Sequence, residues 1–140
     1  MKAYVAAALG GALGALARWG VGEALPHDPG SWPWATLTVN LTGCLVLGLL
    51  IAALFARRPD HPWLRPFLGT GVLGGYTTFS TFSVDAVHLA DAGRWAVAAA
   101  YVLVSVAGGV LAAAAGVALG RALAGPVPAG RVEAAEEEIA

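Results

Sequence analysis

The sequence predicts an all-α integral membrane protein with four transmembrane helices. Of its 140 residues, 58% are hydrophobic and only 12% are charged, whereas soluble domains carry about 25% charged residues. Its mean hydropathy is +0.71, and a soluble core could not absorb this much apolar surface in so short a chain. Four stretches approach the roughly 20 apolar residues that a spanning helix needs: residues 3–24, 33–56, 66–90 and 95–122. We therefore expect a multi-pass protein of the cell membrane, in contact with lipid.

The ends of the four stretches carry the residues that favour a membrane–water interface. The chain has five tryptophans, and an amphipathic indole ring is most stable at that depth. All of them fall at or near a predicted helix end: Trp19, Trp32, Trp34, Trp63 and Trp95. We expect a membrane domain over residues 1–123, followed by a short polar tail over residues 124–140 that ends in an acidic run.

In the first stretch, glycines predict close helix packing. Gly10 and Gly14 have the four-residue spacing that lets two helices approach closely, and Gly116 and Gly120 repeat it in the fourth stretch. Arg18 lies near the end of the first helix. It either extends its side chain to the interface, as cations near helix ends commonly do, or serves a function.

The second stretch contains a buried amide. Asn40 lies about two turns into the helix, one turn after Thr36, and an amide at that depth must find hydrogen-bond partners. Two interpretations remain open: contact between helices, or the wall of a polar path. Cys44 is the single cysteine, and we expect it to behave as a small buried hydrophobic residue.

The third stretch holds the most informative segment. Two glycines, Gly74 and Gly75, precede phenyl rings and hydroxyls inside a predicted span, and such groups persist at membrane depth only where they contact protein or line a cavity. The pair permits a break in the helix, where freed carbonyls favour a cation and freed N–H groups favour an anion. Gly71 and Gly75 also have the packing spacing. The hydroxyl residues of the segment are Thr77, Thr78, Ser80, Thr81 and Ser83.

Phe79 and Phe82 are three residues apart and share one face of the third helix. The edge of a phenyl ring carries positive potential. Ring edges beside hydroxyl donors would form a weak anion environment without a full positive charge, and ion conduction needs binding that is easily released. This pattern predicts the wall of an anion path.

The fourth stretch places Tyr101, Ser105 and Gly109 on one face at four-residue steps. This stripe is either a packing surface or a second wall of the path.

Toward the end of the third stretch, Asp85, His88 and Asp91 predict a solvated helix end rather than a metal site. No nucleophile–base pair or phosphate loop is present, and no acid is expected deep in a span, so we do not expect an enzyme or a proton-coupled transporter.

Four short helices cannot surround an ion path while keeping their own contacts, so we expect an oligomer, most simply a dimer. Two other functions fit the size. A small four-helix multidrug transporter would need a carboxylate inside its first span, but the first acid is Glu23, at the helix end. A structural subunit of a membrane complex would use the glycine pairs and polar residues for assembly alone.

These motifs together resemble the Fluc (CrcB) fluoride channel family. The resemblance runs from about residue 3 to residue 122 through Gly10-Gly11-x-x-Gly14, Arg18, Asn40-x-x-Gly43 and the string Gly74-Gly75-x-Thr77-Thr78-Phe79-Ser80-Thr81-Phe82. It implies a fluoride-selective channel that passively exports fluoride and so reduces its toxicity. Two subunits would lie antiparallel in the membrane and enclose two pores.

The resemblance also implies roles for individual residues. Phe79, Phe82 and Asn40 would line the pore, with Thr78, Ser80, Thr81, Tyr101 and Ser105 as its hydroxyl groups. The backbone carbonyls of Gly74 and Thr77 would hold a structural sodium ion at the dimer interface. Gly109 departs from the family pattern, because a further hydroxyl often stands there.

The loop charges are a second departure. Antiparallel insertion of one sequence needs nearly balanced loops, but the side with both termini holds most cations, and the positive-inside rule would place that side in the cytoplasm. Either this bias does not fix orientation, or an inverted paralogue forms a heterodimer. We expect a homodimer.

Overall fold

The computed structural model of the chain describes residues 1–28, 30–55 and 61–124. The helices are α1 (Lys2–Ala24), α2 (Trp34–Leu50), α3 (Arg65–Leu73), α4 (Phe79–Asp91) and α5 (Trp95–Ala124). A π-helical turn, Ile51–Phe55, continues α2, and α3 is itself π-helical and leads into the helical turn Gly74–Tyr76. Within these described ranges there is no strand, which confirms the predicted all-α class.

Three of the helices are long and apolar enough to cross a membrane: Lys2–Ala24, Trp34–Leu54 and Trp95–Ala124. The third predicted span, residues 66–90, is divided among α3, the turn Gly74–Tyr76 and α4. The predicted polar tail lies outside the described residues, apart from Ala124 at the end of α5.

Two close helix pairs organise the chain. One pair packs α1 against α3 and the turn that follows it, and the other packs α2 against α5. A Cβ atom added to Gly14 would lie 2.8 Å from the backbone N of Tyr76, and one added to Gly116 would lie 2.9 Å from the backbone N of Leu49. Contacts this short leave no room for a methyl group, so glycine permits the approach of both pairs.

Packing also explains the glycines of the third stretch. A Cβ on Gly71 would lie 2.8 Å from the carbonyl O of Ala7, and one on Gly75 would lie 3.0 Å from Gly11 Cα. Gly74 and Gly75 are themselves helical. The non-helical residues come directly after Tyr76, so the glycine pair precedes them, and Gly75 in addition contacts α1.

The buried core lies between α2, α4 and α5 and contains Leu37, Leu89, Ala98 and Tyr101. Large apolar side chains on the outer faces remain exposed, including Leu13 of α1 at 54% and Leu103 of α5 at 69%. Apolar surface of this extent suits contact with lipid rather than water. Together with the three long apolar helices, it identifies a multi-pass membrane protein.

Candidate functional site

The helical path of the third stretch is interrupted at two threonines. Thr77 has φ −74° and ψ 159°, Thr78 has φ −149° and ψ 122°, and α4 begins at Phe79. Extended backbone here leaves N–H and C=O groups without their helical partners, and such groups need others inside a membrane protein.

Asn40 of α2 supplies those partners. Its Nδ2 donates to the carbonyl O of Thr78, and its Oδ1 accepts from the N–H of Thr78, both at 2.9 Å. One amide side chain therefore pairs with both backbone groups of an extended residue. Of the two interpretations that the sequence left open for Asn40, contact between helices is observed, and the residue also faces the cavity described below.

The side chain of Thr78 caps α4. Its Oγ1 accepts from the backbone N–H of Thr81 at 3.1 Å, as N-cap threonines do. The same hydroxyl contacts Thr81 Oγ1 at 3.0 Å and Ser80 Oγ at 3.2 Å. Three of the predicted pore hydroxyls thus form one connected cluster at the start of α4.

These replacements leave two backbone carbonyls without their usual donors. In a continuous α-helix, the N–H of Thr78 would donate to the O of Gly74, and the N–H of Thr81 to the O of Thr77. Both N–H groups instead bond side chains, Asn40 Oδ1 and Thr78 Oγ1. Gly74 and Thr77 therefore present carbonyl oxygens of the kind that hard cations take as ligands.

A cavity of about 420 Å³ lies against the interruption. Seven of the predicted site residues line it: Asn40, Gly74, Thr77, Thr78, Phe79, Phe82 and Ser105. The remaining lining residues are small or apolar, and none carries a charge: Gly43, Cys44, Leu47, Gly69, Leu73 and Val106. In the part of the chain that the structure describes, the Ser105 hydroxyl is buried and has no hydrogen-bond partner.

The two phenyl rings differ in their surroundings. Their centroids are 5.8 Å apart, and Phe79 is 80% exposed, whereas Phe82 packs 5.4 Å from the ring of Tyr101. Phe82 is thus held by the core, while most of the Phe79 ring faces outward from this chain.

Arg18 lies in a groove of about 360 Å³ that is separate from the cavity. The groove is also lined by His27, Thr36, Thr78 and Thr81. Thr78 belongs to both the groove and the cavity. The interruption is therefore the boundary between a groove that carries cationic or titratable side chains and a cavity lined by neutral groups.

Tyr101 does not line the cavity. It is fully buried among the core residues, and its hydroxyl lies 3.5 Å from Asp85 Oδ2. Its predicted role in a pore stripe remains a prediction.

Asp85 is where the sequence interpretation was wrong. It is 9% exposed, within α4, and its Oδ2 accepts a hydrogen bond of 2.7 Å from Thr36 Oγ1. His27 Nε2 lies 3.9 Å from Asp85 Oδ1. His88 and Asp91 are exposed as expected. Helical spacing could have predicted the burial of Asp85, because Asp85 is three residues after Phe82 and lies on the same inward face of the helix.

Comparison with known proteins agrees with this geometry. The family model described as CrcB-like protein, Camphor Resistance (CrcB), matches residues 5–117. The protein named Fluoride-specific ion channel FluC of Paracoccus denitrificans is 47% identical over 120 residues, which cover 86% of this chain and 95% of that protein. FluC of Chloroflexus aurantiacus is 43% identical over 122 residues, 86% of this chain and 97% of its own length. FluC 1 of Mycolicibacterium paratuberculosis is 46% identical over 103 residues, 74% of this chain and 78% of its own length.

Proposed function

This chain belongs to the CrcB-like family, and from that premise we propose that it is a fluoride-selective channel of the cell membrane. It conducts fluoride passively, down its gradient and out of the cell, and so reduces fluoride toxicity. The relatives named for this activity match 86% of this chain and nearly their own full length. The protein is a channel and not an enzyme.

The observation that carries this function is the neutral cavity at the interruption. Asn40, Phe82 and Ser105 bring an amide, a phenyl ring and a serine side chain to the lining of one space without a charged side chain. Neutral donors bind an anion weakly enough to release it, which conduction requires. The start of α4 adds backbone N–H groups and the positive end of its helix dipole, which also favour an anion.

In the proposed pathway, fluoride exchanges water for these groups in succession. Arg18 draws the anion into the groove, and the hydroxyls of Ser80, Thr81 and Thr78 meet it at the interruption. Phe79, Phe82 and Asn40 then form the path beside the cavity, with Ser105 on the α5 side, and the buried Tyr101 supports the ring of Phe82. The segment from α3 to α4 crosses the membrane as the third of four spans. The path passes its break at Thr77 and Thr78.

We further propose that two chains assemble as an antiparallel homodimer. The 80% exposure of the Phe79 ring supports this, because a phenyl group that lines a path needs protein on its other side. A heterodimer with an inverted paralogue is the alternative suggested by the loop charges.

A structural sodium ion at the dimer interface fits the residues, since the carbonyls of Gly74 and Thr77 lack their helical donors. When bound, the ion supplies a positive charge that neutralises oxygen dipoles brought together there.

Fluoride efflux from liposomes that contain the pure protein tests this function. We expect fast fluoride efflux, measured with a fluoride electrode, and negligible chloride efflux. Because Asp85 is a buried carboxyl group in α4, the assay includes a protonophore: passive conduction predicts that fluoride efflux persists once any proton gradient is dissipated. Equal chloride and fluoride rates would contradict the proposal, and so would a strict requirement for a proton gradient.

A further inference from the structure

The single cysteine of the chain lines the cavity at the interruption. Cys44 is one turn beyond Asn40 on α2, and it borders the same space as Phe82 and Ser105. It is partly exposed, so the expectation of a buried hydrophobic residue was wrong. A thiol in this position faces the cavity with a weak S–H donor.

The opposite helix lacks a side chain at the matching level. On α5, Tyr101 and Ser105 are followed at the next four-residue step by Gly109, which ends the polar stripe. A Cβ atom built on Gly109 would lie 3.6 Å from Cys44 Sγ, an ordinary van der Waals distance. The sulfur therefore adjoins the space into which a side chain at residue 109 would project.

We propose that the Cys44 thiol is a pore-lining group that extends the fluoride path beyond Ser105, in place of a hydroxyl on residue 109. The inference rests on the proposed channel function and assigns a further residue to its path. Two observations carry it: Cys44 lines the same cavity as Phe82 and Ser105, and its sulfur lies beside the side-chain position that Gly109 leaves vacant. Fluoride leaving Ser105 accepts the S–H hydrogen bond before it is fully hydrated again.

Substitutions of Cys44 distinguish the effect of its S–H hydrogen-bond donor from the effect of its side-chain volume. Cys44→Ser keeps the size and supplies a stronger donor, so fluoride efflux stays equal or rises. Cys44→Ala removes the donor without adding volume, and efflux falls roughly twofold to fivefold, as expected for loss of one weak hydrogen bond. Adding Gly109→Ser to Cys44→Ala places a hydroxyl in the same space from the other helix and restores most of the efflux.

Chemical modification tests the same position without a substitution. Methyl methanethiosulfonate converts the thiolate to a methyl disulfide and releases methanesulfinate, while the thiol proton passes to the buffer. Because the chain has one cysteine, the adduct reports this site alone and is counted by mass spectrometry. We expect it to lower fluoride efflux in the unmodified protein and to leave Cys44→Ser unaffected. The matched control is Val46→Cys in the Cys44→Ser background, because Val46 is on the same helix, 42% exposed and outside the cavity.

The outcomes distinguish this inference from the channel function. Selective fluoride efflux that neither Cys44→Ala nor the adduct alters would overturn the role of Cys44 and leave the channel intact. Failure of Cys44 to react in folded protein, while the Val46→Cys control reacts, would overturn it equally. Absence of selective fluoride efflux from the unmodified protein would contradict both the channel function and the role of Cys44. If Cys44→Ala does not fold, the modification experiment decides alone.

Discussion

Asn40 and Thr78 are joined by two hydrogen bonds of 2.9 Å, with the amide donating to the carbonyl and accepting from the N–H. This pairing makes extended backbone tolerable in the middle of a helical stretch. Asn40 thereby couples α2 to the start of α4, and the position of the cavity wall depends on it.

Asn40→Ala should therefore lower both stability and fluoride efflux. It leaves the N–H of Thr78 without its partner and removes one of the hydrogen bonds to the C=O, which as N-cap still accepts from the first turn of α4; the unpaired N–H costs about 1–3 kcal/mol. Thermal unfolding in detergent and efflux from liposomes are the two measurements. Thr38→Val, two residues before Asn40 on α2 and outside the cavity, is the control and should change neither. A melting temperature for Asn40→Ala equal to that of the unmodified protein would contradict the structural role of the amide.

The two phenyl rings should respond differently to isoleucine. Phe79→Ile removes an exposed ring and its contact with the Phe82 ring, so efflux falls, and the melting temperature falls by less than it does for Phe82→Ile. Phe82→Ile also loses the contact with Tyr101, worth about 0.5–1.5 kcal/mol for an aromatic pair, so both efflux and stability fall. Val84→Ile, 50% exposed on the same helix, should leave efflux unchanged. Undiminished efflux in both phenylalanine variants would remove the rings from the path.

Glycines of α1 provide a matched test of helix packing. Gly14→Ala inserts a methyl group against the backbone of α3 and the following turn, and overpacking of this kind costs about 1–3 kcal/mol or more. A Cβ on Gly20 meets no atom within 4 Å, so Gly20→Ala should be neutral or stabilise by up to about 1 kcal/mol through helix propensity. Thermal unfolding of the two variants measures the difference. Similar melting temperatures for both would show that the α1–α3 contact is looser than described.

The two hydroxyl groups near Asp85 should contribute to the free energy of unfolding in the order of their distances from its carboxyl group, with the nearer one contributing more. Thr36 donates to Asp85 Oδ2 at 2.7 Å, whereas the Tyr101 hydroxyl lies 3.5 Å from the same oxygen. Thr36→Val should cost about 0.5–1.5 kcal/mol of unfolding free energy, the range for one intramolecular hydrogen bond. Tyr101→Phe should cost less. Denaturation of the two variants checks the order, and a larger loss in Tyr101→Phe would mean that the tyrosine, not the threonine, is the main partner.

Sodium should stabilise the assembled protein if the carbonyls of Gly74 and Thr77 bind it. A ligand that binds only the folded state adds RT ln(1 + [L]/Kd) to its stability, so the melting temperature should rise with sodium concentration. N-methylglucamine chloride at equal ionic strength is the control, since that cation is too large for a carbonyl site. Identical melting temperatures in the two salts would argue against a structural ion.

The sequence predicted elements whose signals are local. Apolar length and interfacial tryptophans located the long helices, and the hydroxyl-rich segment located the candidate site. Relationships between helices were not predictable in the same way. Asp85 was assigned to a solvated end because one sequence does not show that Thr36 of α2 lies opposite it. The spacing of Gly71 and Gly75 indicated close packing, but one sequence does not show that the helix packed against them is α1.

The interruption also depends on a contact between distant parts of the chain. Thr78 exchanges its bonds with a residue 38 positions earlier in the chain, and lipid cannot replace either partner. The extended geometry at the two threonines is therefore stabilised by contact with α2 and not by the third stretch alone.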